Sequence, residues 1–300
     1  IYTMLKGIEE LSKQRGINVI YHNGCDIMNE EDENIEEAVR IASAADIIIS
    51  VVGDCLDQNG ETKDRANLDL SGAQQKLLER LKSCGKPLVA VLVNGKPLSV
   101  PWIAKNADAV LETFNSGMYG GKALAEVVFG EVNPCGKLTI SFPYHSGQLP
   151  VYYNQLPGWH GNKYVDMPDH PLYPFGYGLS YTEFKYSNLK LSKTKCSAND
   201  TIVASVEVTN TGKVDGKEIV QLYVNDAVSS VVTPIKELKG FKKVEIKASE
   251  TKTVEIPLEI SQLSICDENE KYVVEPGEFI IMVGPDSRDE VLSKISLVVE

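Results

Sequence analysis

The sequence predicts an α/β sandwich, meaning a mostly parallel sheet flanked by helices, followed by an all-β sandwich. Three observations lead to this prediction. The length of 300 residues fits about two domains. The first part of the chain alternates short apolar segments with amphipathic helical segments, which is the rhythm of parallel β-α units. The last part is a series of short alternating segments separated by turn residues, which is typical of a β-sandwich.

Local patterns predict the elements of the first part. Continuous apolar residues in 46–53 and 86–95 indicate strands that are covered on both faces. Segment 70–85 is typical of a helix, with Ser71 as its N-cap and Gly85 at its end. The predicted helices are 1–16, 30–45, 70–85 and 120–130, and the predicted strands are 17–22, 46–53, 86–95, 107–114 and, at an edge, 136–143.

Segment 144–184 has a different amino-acid composition. It is dense in Pro, Gly and Tyr and has no helical or strand period, so we predict a linker packed by its own aromatic rings. Beyond it, residues 202–208 alternate between apolar and other residues, and 275–278 predict the turn of a hairpin. These strands favour a sandwich of the immunoglobulin or fibronectin type III kind. The predicted domains are 1–143, 144–184 and 185–300.

Composition narrows the possible partners. The formal net charge is −12, which disfavours nucleic acids and anionic membranes and fits a neutral substrate. No apolar run reaches the roughly 18 residues that a membrane span needs. The six cysteines are scattered without a CxxC pair, so free structural thiols are expected rather than a zinc site or a disulfide framework. Free thiols favour a cytoplasmic location over a secreted or periplasmic one.

The stretch "VVGDCLDQNGETKDRANLDLSG", residues 51–72, contains the main candidate site. It begins as a buried strand and continues as a long charged loop, whereas strand-to-helix loops usually have about 2 to 6 residues. In open α/β sheets, ligands bind beyond the carboxyl ends of the strands, where this loop lies. Glu61 could serve there as a proton donor. So could Asp54, Asp57 and Asp64, and the alternative is a solvated loop with weak surface ion pairs.

Other candidates are weaker. The glycine patterns that bind nucleotides are absent, and no histidines have metal-ligand spacing. We therefore predict no metal. Trp102 and Trp159 could stack on a sugar ring, but packing is the more common role of a tryptophan. The remaining candidates examined are His22, His145, His160 and His170, which we interpret as loop or strand residues, and Ser71 and Ser116, which have no histidine partner nearby.

Six motifs in this order resemble the carboxyl-terminal half of glycoside hydrolase family 3, the group that contains β-glucosidases and β-xylosidases. They are "VVGDCLDQNGETKDRANLDLSGAQQKLL", "GKPLVAVLVNGKPLSVPW", "GGKALAEVVFGEVNPCGKLTISFP", "PLYPFGYGLSYTEF", "VTNTGKVDGKEIVQLYV" and "VVEPGEFIIMVG". Each motif alone is weak evidence. In this order and with these gaps they are strong evidence together, and the resemblance extends over nearly all of the chain.

The resemblance implies a retaining, exo-acting β-glycosidase with no cofactor. Members of the family usually combine a (β/α)8-type barrel, a six-stranded α/β sandwich and a fibronectin type III-like domain. A barrel aspartate is the nucleophile, and a glutamate on a loop of the sandwich is the general acid/base. Glu61 matches that glutamate in "NGETKDR", although Asp57 or Asp64 could take its place because the loop varies in length. The implied partners are a β-linked glucoside or xyloside and the barrel.

The resemblance also implies that this chain is one part of a larger enzyme. The family's sandwich domain normally begins upstream of "IYTMLKGIEE", so residue 1 would fall inside it, and the barrel would belong to another segment or a second chain. We expect the chain alone to be inactive, and it could also form homo-oligomers. The rival hypotheses are a non-catalytic carbohydrate-binding or scaffolding fragment and, less consistent with the sequence, a nucleotide-binding module.

Overall fold

The structure is a computed structural model that describes residues 1–158 and 164–300. The chain divides into two compact units. The first comprises 1–132 and 142–149, and the second comprises 133–141 and 150–300. Within the described residues, no helix combines the length and apolarity that crossing a membrane requires.

The first unit is an α/β unit built on a parallel sheet. Its elements are α1 (Met4–Gln14), α2 (Ile35–Ala42), β1 (Ile48–Gly53), α3 (Gln74–Lys82), β2 (Leu88–Val93), α4 (Pro101–Asn106), β3 (Ala109–Glu112) and α5 (Gly120–Val128). The sheet order is β1-β2-β3, with both pairs parallel. This confirms the predicted parallel sheet with helices, and it brings the carboxyl ends of all three strands to one edge.

The sequence of β2 is apolar without interruption because this strand lies in the centre of the sheet. Leu88, Ala90 and Leu92 are buried on it, and so is Val91, which alternates with them. Both faces of the strand are therefore covered, as a parallel sheet between helices requires. Leu78 of α3 is fully buried as well. The apolar run thus fixes β2 in the middle of the sheet, and the loops that follow the strands meet around its end.

Three local predictions within residues 1–143 are wrong. Residues 17–22 form no strand, because no other strand lies alongside them in the described chain, and Ile17, Ile20 and Tyr21 are exposed. Residues 136–143 form no strand beyond an isolated bridge at Phe142. Ser71 does not cap α3, whose N-cap position is Ala73 without a side-chain hydrogen bond. The Ser71 hydroxyl instead accepts a hydrogen bond from the Gln58 side chain.

The second unit is an all-β sandwich, as predicted. Its strands are β4 (Phe184–Leu191), β5 (Lys195–Cys196), β6 (Thr201–Asn210), β7 (Gly216–Asp226), β8 (Glu237–Ile246), β9 (Thr251–Glu259), β10 (Ile265–Cys266), β11 (Tyr272–Val273), β12 (Gly277–Gly284) and β13 (Ser293–Val299). One sheet has the order β5-β13-β12-β7-β8 and the other β4-β6-β9, with a separate β10-β11 pair.

The core of the sandwich lies between its two main sheets. The predicted alternation in β6 is confirmed, since its apolar residues at 202, 204, 206 and 208 are all buried. They pack in one cluster with Leu222 of β7 and Ile281 of β12. The hairpin predicted around residues 275–278 is wrong. Strand β11 pairs with β10, while β12 pairs with β7 and β13, because long partners offer β12 a more extensive ladder.

Aromatic rings organise the described part of 144–184. Tyr153 stacks on Phe175 with ring centroids 4.2 Å apart, and Tyr173 stacks on Tyr177 at 5.8 Å. Tyr153 also contacts Tyr223 of β7 edge to face. This segment therefore contributes rings to the packing of the second unit. The boundaries 1–143, 144–184 and 185–300 stay predictions.

We expect Leu222→Ala to destabilise the second unit by about 2–5 kcal/mol, because it leaves a cavity in a fully buried cluster. Leu179→Ala is the matched control, since Leu179 is 73% exposed and its truncation should change the free energy of unfolding by less than about 0.5 kcal/mol. Urea unfolding followed by tryptophan and tyrosine fluorescence measures both. Equal effects of the two substitutions would contradict this description of the core.

Candidate active site

The candidate site is the loop that follows β1. It starts at the carboxyl end of the sheet, where the N–H of Asp54 donates to the carbonyl of Val93 on β2 at 2.9 Å. The preceding residue must be a glycine, since Gly53 has φ +145° and a Cβ there would lie 2.0 Å from the Val93 carbonyl oxygen. The two strands are therefore in close contact where the loop begins.

A short helical turn shapes the first part of the loop. Residues Leu56–Gln58 form a 3-10 turn, and the buried Gln58 side chain accepts a hydrogen bond from the N–H of Cys55. The same side chain donates to the Ser71 hydroxyl at 2.7 Å, on the segment that leads to α3. We call residues 54–59 and Arg65 the loop base and residues 60–64 the loop tip. The loop base is thus tied to structure on both of its sides.

An ionic cluster of Asp54, Arg65 and Lys96 holds the loop base. The Asp54 side chain has no exposed surface, and one of its oxygens accepts a hydrogen bond from Arg65 at 2.6 Å. Its other oxygen lies 3.7 Å from the Lys96 ammonium group, beyond hydrogen-bond distance. A carboxylate that is buried away from solvent needs such positive neighbours, because an unpaired buried charge is strongly unfavourable. Arg65 also donates to the carbonyl of Asp69.

Lys96 connects the loop base to the turn after β2. Its ammonium group donates to the carbonyl of Gln58 at 2.6 Å and to the side-chain oxygen of Asn59 at 2.9 Å. The adjacent Gly95 leaves room for this contact, since a Cβ at that position would lie 2.4 Å from the same Asn59 oxygen. Lys96 therefore bonds two consecutive residues of the loop base and faces a third, Asp54.

The loop tip is different in character. Glu61 is exposed, and its side chain makes no hydrogen bond or ion pair with any residue in 1–158 or 164–300. Thr62 next to it has φ +64°, a conformation that β-branched residues rarely adopt and that often marks a functional segment. Asp57 and Asp64 are exposed too, and Lys63 donates to the Leu56 carbonyl at 2.8 Å. The tip thus presents Glu61 unpaired on a backbone whose two ends are fixed.

Two further polar residues lie at neighbouring strand ends. Asn94 follows β2 and Glu112 ends β3, and each has one side-chain oxygen that is buried without a hydrogen-bond partner among the described residues. Burial raises the pKa of Glu112 to about 7, and the nearby Asp54 carboxylate adds to the rise. The backbone N–H of Phe114 and the Asn94 side chain oppose this rise without outweighing it. Glu112 therefore carries a proton at mildly acidic pH.

Apart from Ser71, which bonds Gln58 of the loop base, several other sequence candidates have local structural roles or lie outside the described residues. Trp102 is on α4, where its carbonyl accepts from Asn106. His22 and His145 each accept a hydrogen bond from the N–H two residues ahead, so both stabilise local turns. Trp159 and His160 lie outside the described residues. Over 1–158 and 164–300, no three His, Cys, Asp or Glu side chains are grouped to hold a metal ion.

A cavity of about 480 Å³ lies at the carboxyl end and free edge of β1. Val51, Asp54 and Asn115 are among the residues that line it, and Glu61 is not. The exposed carboxyl group of Glu61 therefore lies outside this cavity. Chemically, the loop supplies one exposed carboxyl group that forms no ion pair with the described residues.

The sequence matches a known family over most of its length. Residues 1–181 match the glycosyl hydrolase family 3 C-terminal domain, and residues 218–287 match the fibronectin type III-like domain. The chain belongs to glycosyl hydrolase family 3. The resemblance inferred from the six motifs is thereby confirmed, and so is the fold class of a parallel α/β domain followed by a fibronectin type III-like sandwich.

Curated relatives of this family 3 chain are glycosidases. It is 46% identical to a β-xylosidase of Formosa agariphila over 98% of this chain and 41% of the relative. It is 40% identical to a periplasmic β-glucosidase of Salmonella typhimurium, over 95% of this chain and 41% of that protein. The chain therefore spans about two fifths of the length of these relatives and corresponds to their carboxyl-terminal part.

Solved structures agree. A β-glucosidase from Erythrobacter marinus superposes with a TM-score of 0.93 at 36% identity, covering 99% of this chain and 43% of that one. A β-glucosidase from Listeria innocua in complex with isofagomine gives a TM-score of 0.88 at 32% identity, covering 99% and 42%. At these identities the likeness extends to sequence as well as fold.

Sequence reasoning missed several residues around the loop. Lys96 lies in "NGKP" just after the predicted strand 86–95, and the sequence alone singles out neither Lys96 nor Gln58, Asn94 and Glu112. The pairing of β1 with β2 in parallel provides the missing signal. Residues just after neighbouring parallel strands must meet at one edge, so a lysine after β2 has to approach an aspartate after β1.

We expect the stability of the chain to fall as pH rises from about 4.5 to about 7, with Glu112 contributing roughly 2–3 kcal/mol to the fall. The sign follows from the raised pKa, because the folded state binds the proton more tightly than the unfolded state. The contribution is complete below the ordinary pKa of 4.5 and is lost as pH passes the folded value. Urea unfolding between about pH 5 and about pH 8 measures it.

Glu112→Gln should remove this part of the pH dependence, since the amide keeps the shape of the side chain and cannot ionise. Glu9→Gln, at an exposed position on α1, is the matched control and should leave the pH profile unchanged. A Glu112→Gln profile that still parallels the unsubstituted chain would show that Glu112 does not titrate in this range.

Proposed function

We propose that this chain is the acid/base-bearing portion of a retaining, exo-acting β-glycosidase that hydrolyses β-glucosides or β-xylosides. Glu61 protonates the departing oxygen in the first step and removes a proton from water in the second. The nucleophile is an aspartate on a (β/α)8-type barrel outside this chain. The observation that carries the proposal is the unpaired, exposed carboxyl of Glu61 on a loop with a fixed base.

The requirements of the reaction support this assignment. A retaining glycosidase uses two carboxyl groups about 5–5.5 Å apart, one ionised as nucleophile and one protonated as acid. A group that exchanges protons with substrate cannot be committed to a salt bridge of its own domain. Among the acids of the loop, Asp54 is paired and buried, whereas Glu61 is free of such bonds. Asp57 lies 3.9 Å from the Lys63 ammonium group, so it is less suited than Glu61.

The exposed surroundings of Glu61 support the proposal that another protein surface covers it. A catalytic acid works best in a site from which water is excluded, because the low polarity favours its protonated form. Nothing in the first unit shields the loop tip. A barrel that closes over the tip would provide this shielding together with the sugar-binding residues. The β-xylosidase and β-glucosidase relatives, at 46% and 40% identity, support these two substrate classes.

The test is Glu61→Gln in the protein that combines this chain with its barrel. Hydrolysis of aryl glycosides with poor leaving groups should slow by about 10²- to 10⁴-fold, because such oxygens need a proton to depart. Glycosides with activated leaving groups should react in the first step at nearly the original rate. Their second step lacks its base, and Glu61→Ala should accelerate in azide, which attacks the glycosyl-enzyme without base assistance and yields a glycosyl azide.

Matched variants separate the alternatives. Asp57→Asn and Asp64→Asn change exposed acids of the same loop, and the leaving-group pattern in either of them instead of Glu61→Gln would move the role to that residue. Glu255→Gln, an exposed position on β9, controls for loss of a surface glutamate. If none of the loop variants slows hydrolysis, the chain is a non-catalytic carbohydrate-binding or scaffolding fragment.

We expect the isolated 300-residue chain to show no hydrolysis of aryl β-glucosides or β-xylosides. Glu61 alone provides one of the two carboxyl groups that the retaining reaction needs. The measurement is release of the aryl group by the purified chain, with the barrel-containing protein as positive control. Turnover by the purified chain that persists through further purification and is lost on replacing one of its own aspartates would contradict the expectation.

A further inference from the structure

The position of Glu61 is set mainly by the loop backbone. Its side chain is exposed and makes no hydrogen bond or ion pair with the described residues, so no bonded neighbour steers the carboxyl. Effective catalysis requires the reacting groups to be held at a defined place, and a displacement of about 1 Å can cost a factor of about 10² in rate. Some part of the chain must therefore restrain the loop base, from which the tip extends.

Lys96 is placed to act as that restraint. It comes from the turn after β2, a rigid element in the middle of the sheet, and reaches Gln58 at 2.6 Å and Asn59 at 2.9 Å. These two residues directly precede the loop tip. The bond to the Gln58 carbonyl is a charge-assisted bond to backbone, so it fixes the path of the chain rather than the orientation of a side chain.

The ionic cluster keeps Lys96 in place. Its ammonium group lies 3.7 Å from the buried Asp54 carboxylate, which Arg65 bonds from the other end of the loop. Asp54 and Arg65 are eleven residues apart, so their ion pair joins the two ends of the loop. The Lys96 side chain is only 25% exposed, and this limits competition from water for its bonds. The contacts of the cluster therefore anchor the loop at its start (Asp54), just before its tip (Gln58 and Asn59) and at its end (Arg65).

We propose that Lys96 is a positioning residue for the acid/base group: it anchors the loop base to β2 and thereby fixes where Glu61 stands. This inference rests on the proposed function of Glu61. It assigns Lys96 no contact with substrate and no proton transfer. Its role is to keep Glu61, which has no hydrogen bond or ion pair of its own among the described residues, in line with the departing oxygen.

The decisive experiment is Lys96→Met in the protein that combines this chain with its barrel. Methionine keeps much of the side-chain length and removes the three donors. For glycosides with poor leaving groups, kcat should fall by about 10- to 100-fold with little change in KM, since the ground-state contacts of the sugar are untouched. The first step for activated leaving groups should stay near the original rate, because it needs no proton.

A purely structural role predicts another pattern. If Lys96 only stabilised the fold, its loss would lower the Tm and the amount of active enzyme, and hydrolysis of both kinds of glycoside would fall together. Lys105→Met, an exposed lysine on α4, is the matched control and should leave both rates unchanged. Equal loss for both leaving groups, or no loss in folded Lys96→Met protein, would overturn the proposal.

A second variant covers the case in which Lys96→Met fails to fold. Asn59→Ala removes one acceptor of the Lys96 ammonium group and leaves the charges of the ionic cluster intact. It should show the same selective loss to a smaller extent, about 3- to 10-fold, and an unselective loss or none would count against the proposal. The tests also separate the two proposals. Selective loss in Glu61→Gln without selective loss in the anchor variants overturns the role of Lys96 alone, whereas absence of selective loss in Glu61→Gln overturns the proposed function.

Discussion

The burial of one carboxylate, Asp54, governs the arrangement at the end of the sheet. Parallel pairing sets Gly53 beside Val93, so the first residue after β1 is confined against the residues that follow β2. The Asp54 side chain has no exposed surface there, and its charge requires positive partners. Arg65 and Lys96 meet that requirement from opposite sides. The Asp54–Arg65 ion pair thereby brings the end of a long loop back to its start.

For the proposed acid/base role of Glu61, this arrangement reconciles two opposing demands on a group that transfers protons. Such a group must be held in place, yet it cannot be engaged by strong partners within its own unit. Here the restraint acts on the loop base through Gln58, Asn59 and the ionic cluster, while Glu61 stays without bonds to the described residues. Under the proposed function, the exposed carboxyl would act as an acid only when another protein surface covers it. The match to family 3, together with the coverage of about two fifths of the relatives, agrees with a chain that acts within a larger protein.

Patterns within a single strand predicted that strand correctly. Features that depend on which strands become neighbours were not predicted from the sequence. The apolar run of β2 and the alternation in β6 identify their elements directly, and the length of the loop after β1 drew attention to Glu61. By contrast, residues 17–22 have strand-like composition but no strand beside them, and the turn at 275–278 does not join a hairpin because β12 pairs elsewhere. Lys96 was overlooked for the same reason, since its importance arises from the adjacency of β1 and β2 rather than from its own sequence context.

The separation of loop base and loop tip has a consequence for how such proteins diversify. The residues that fix the loop, at 54, 58, 59, 65 and 96, do not overlap with the five residues between Asn59 and Arg65. Insertions or deletions within those five residues alter how far the carboxyl extends without altering the sheet. Under the proposed function, changes in the length of this outermost turn would adapt one scaffold to bulkier or smaller aglycones, and the turn could be exchanged between homologues without replacing the residues that fix the loop.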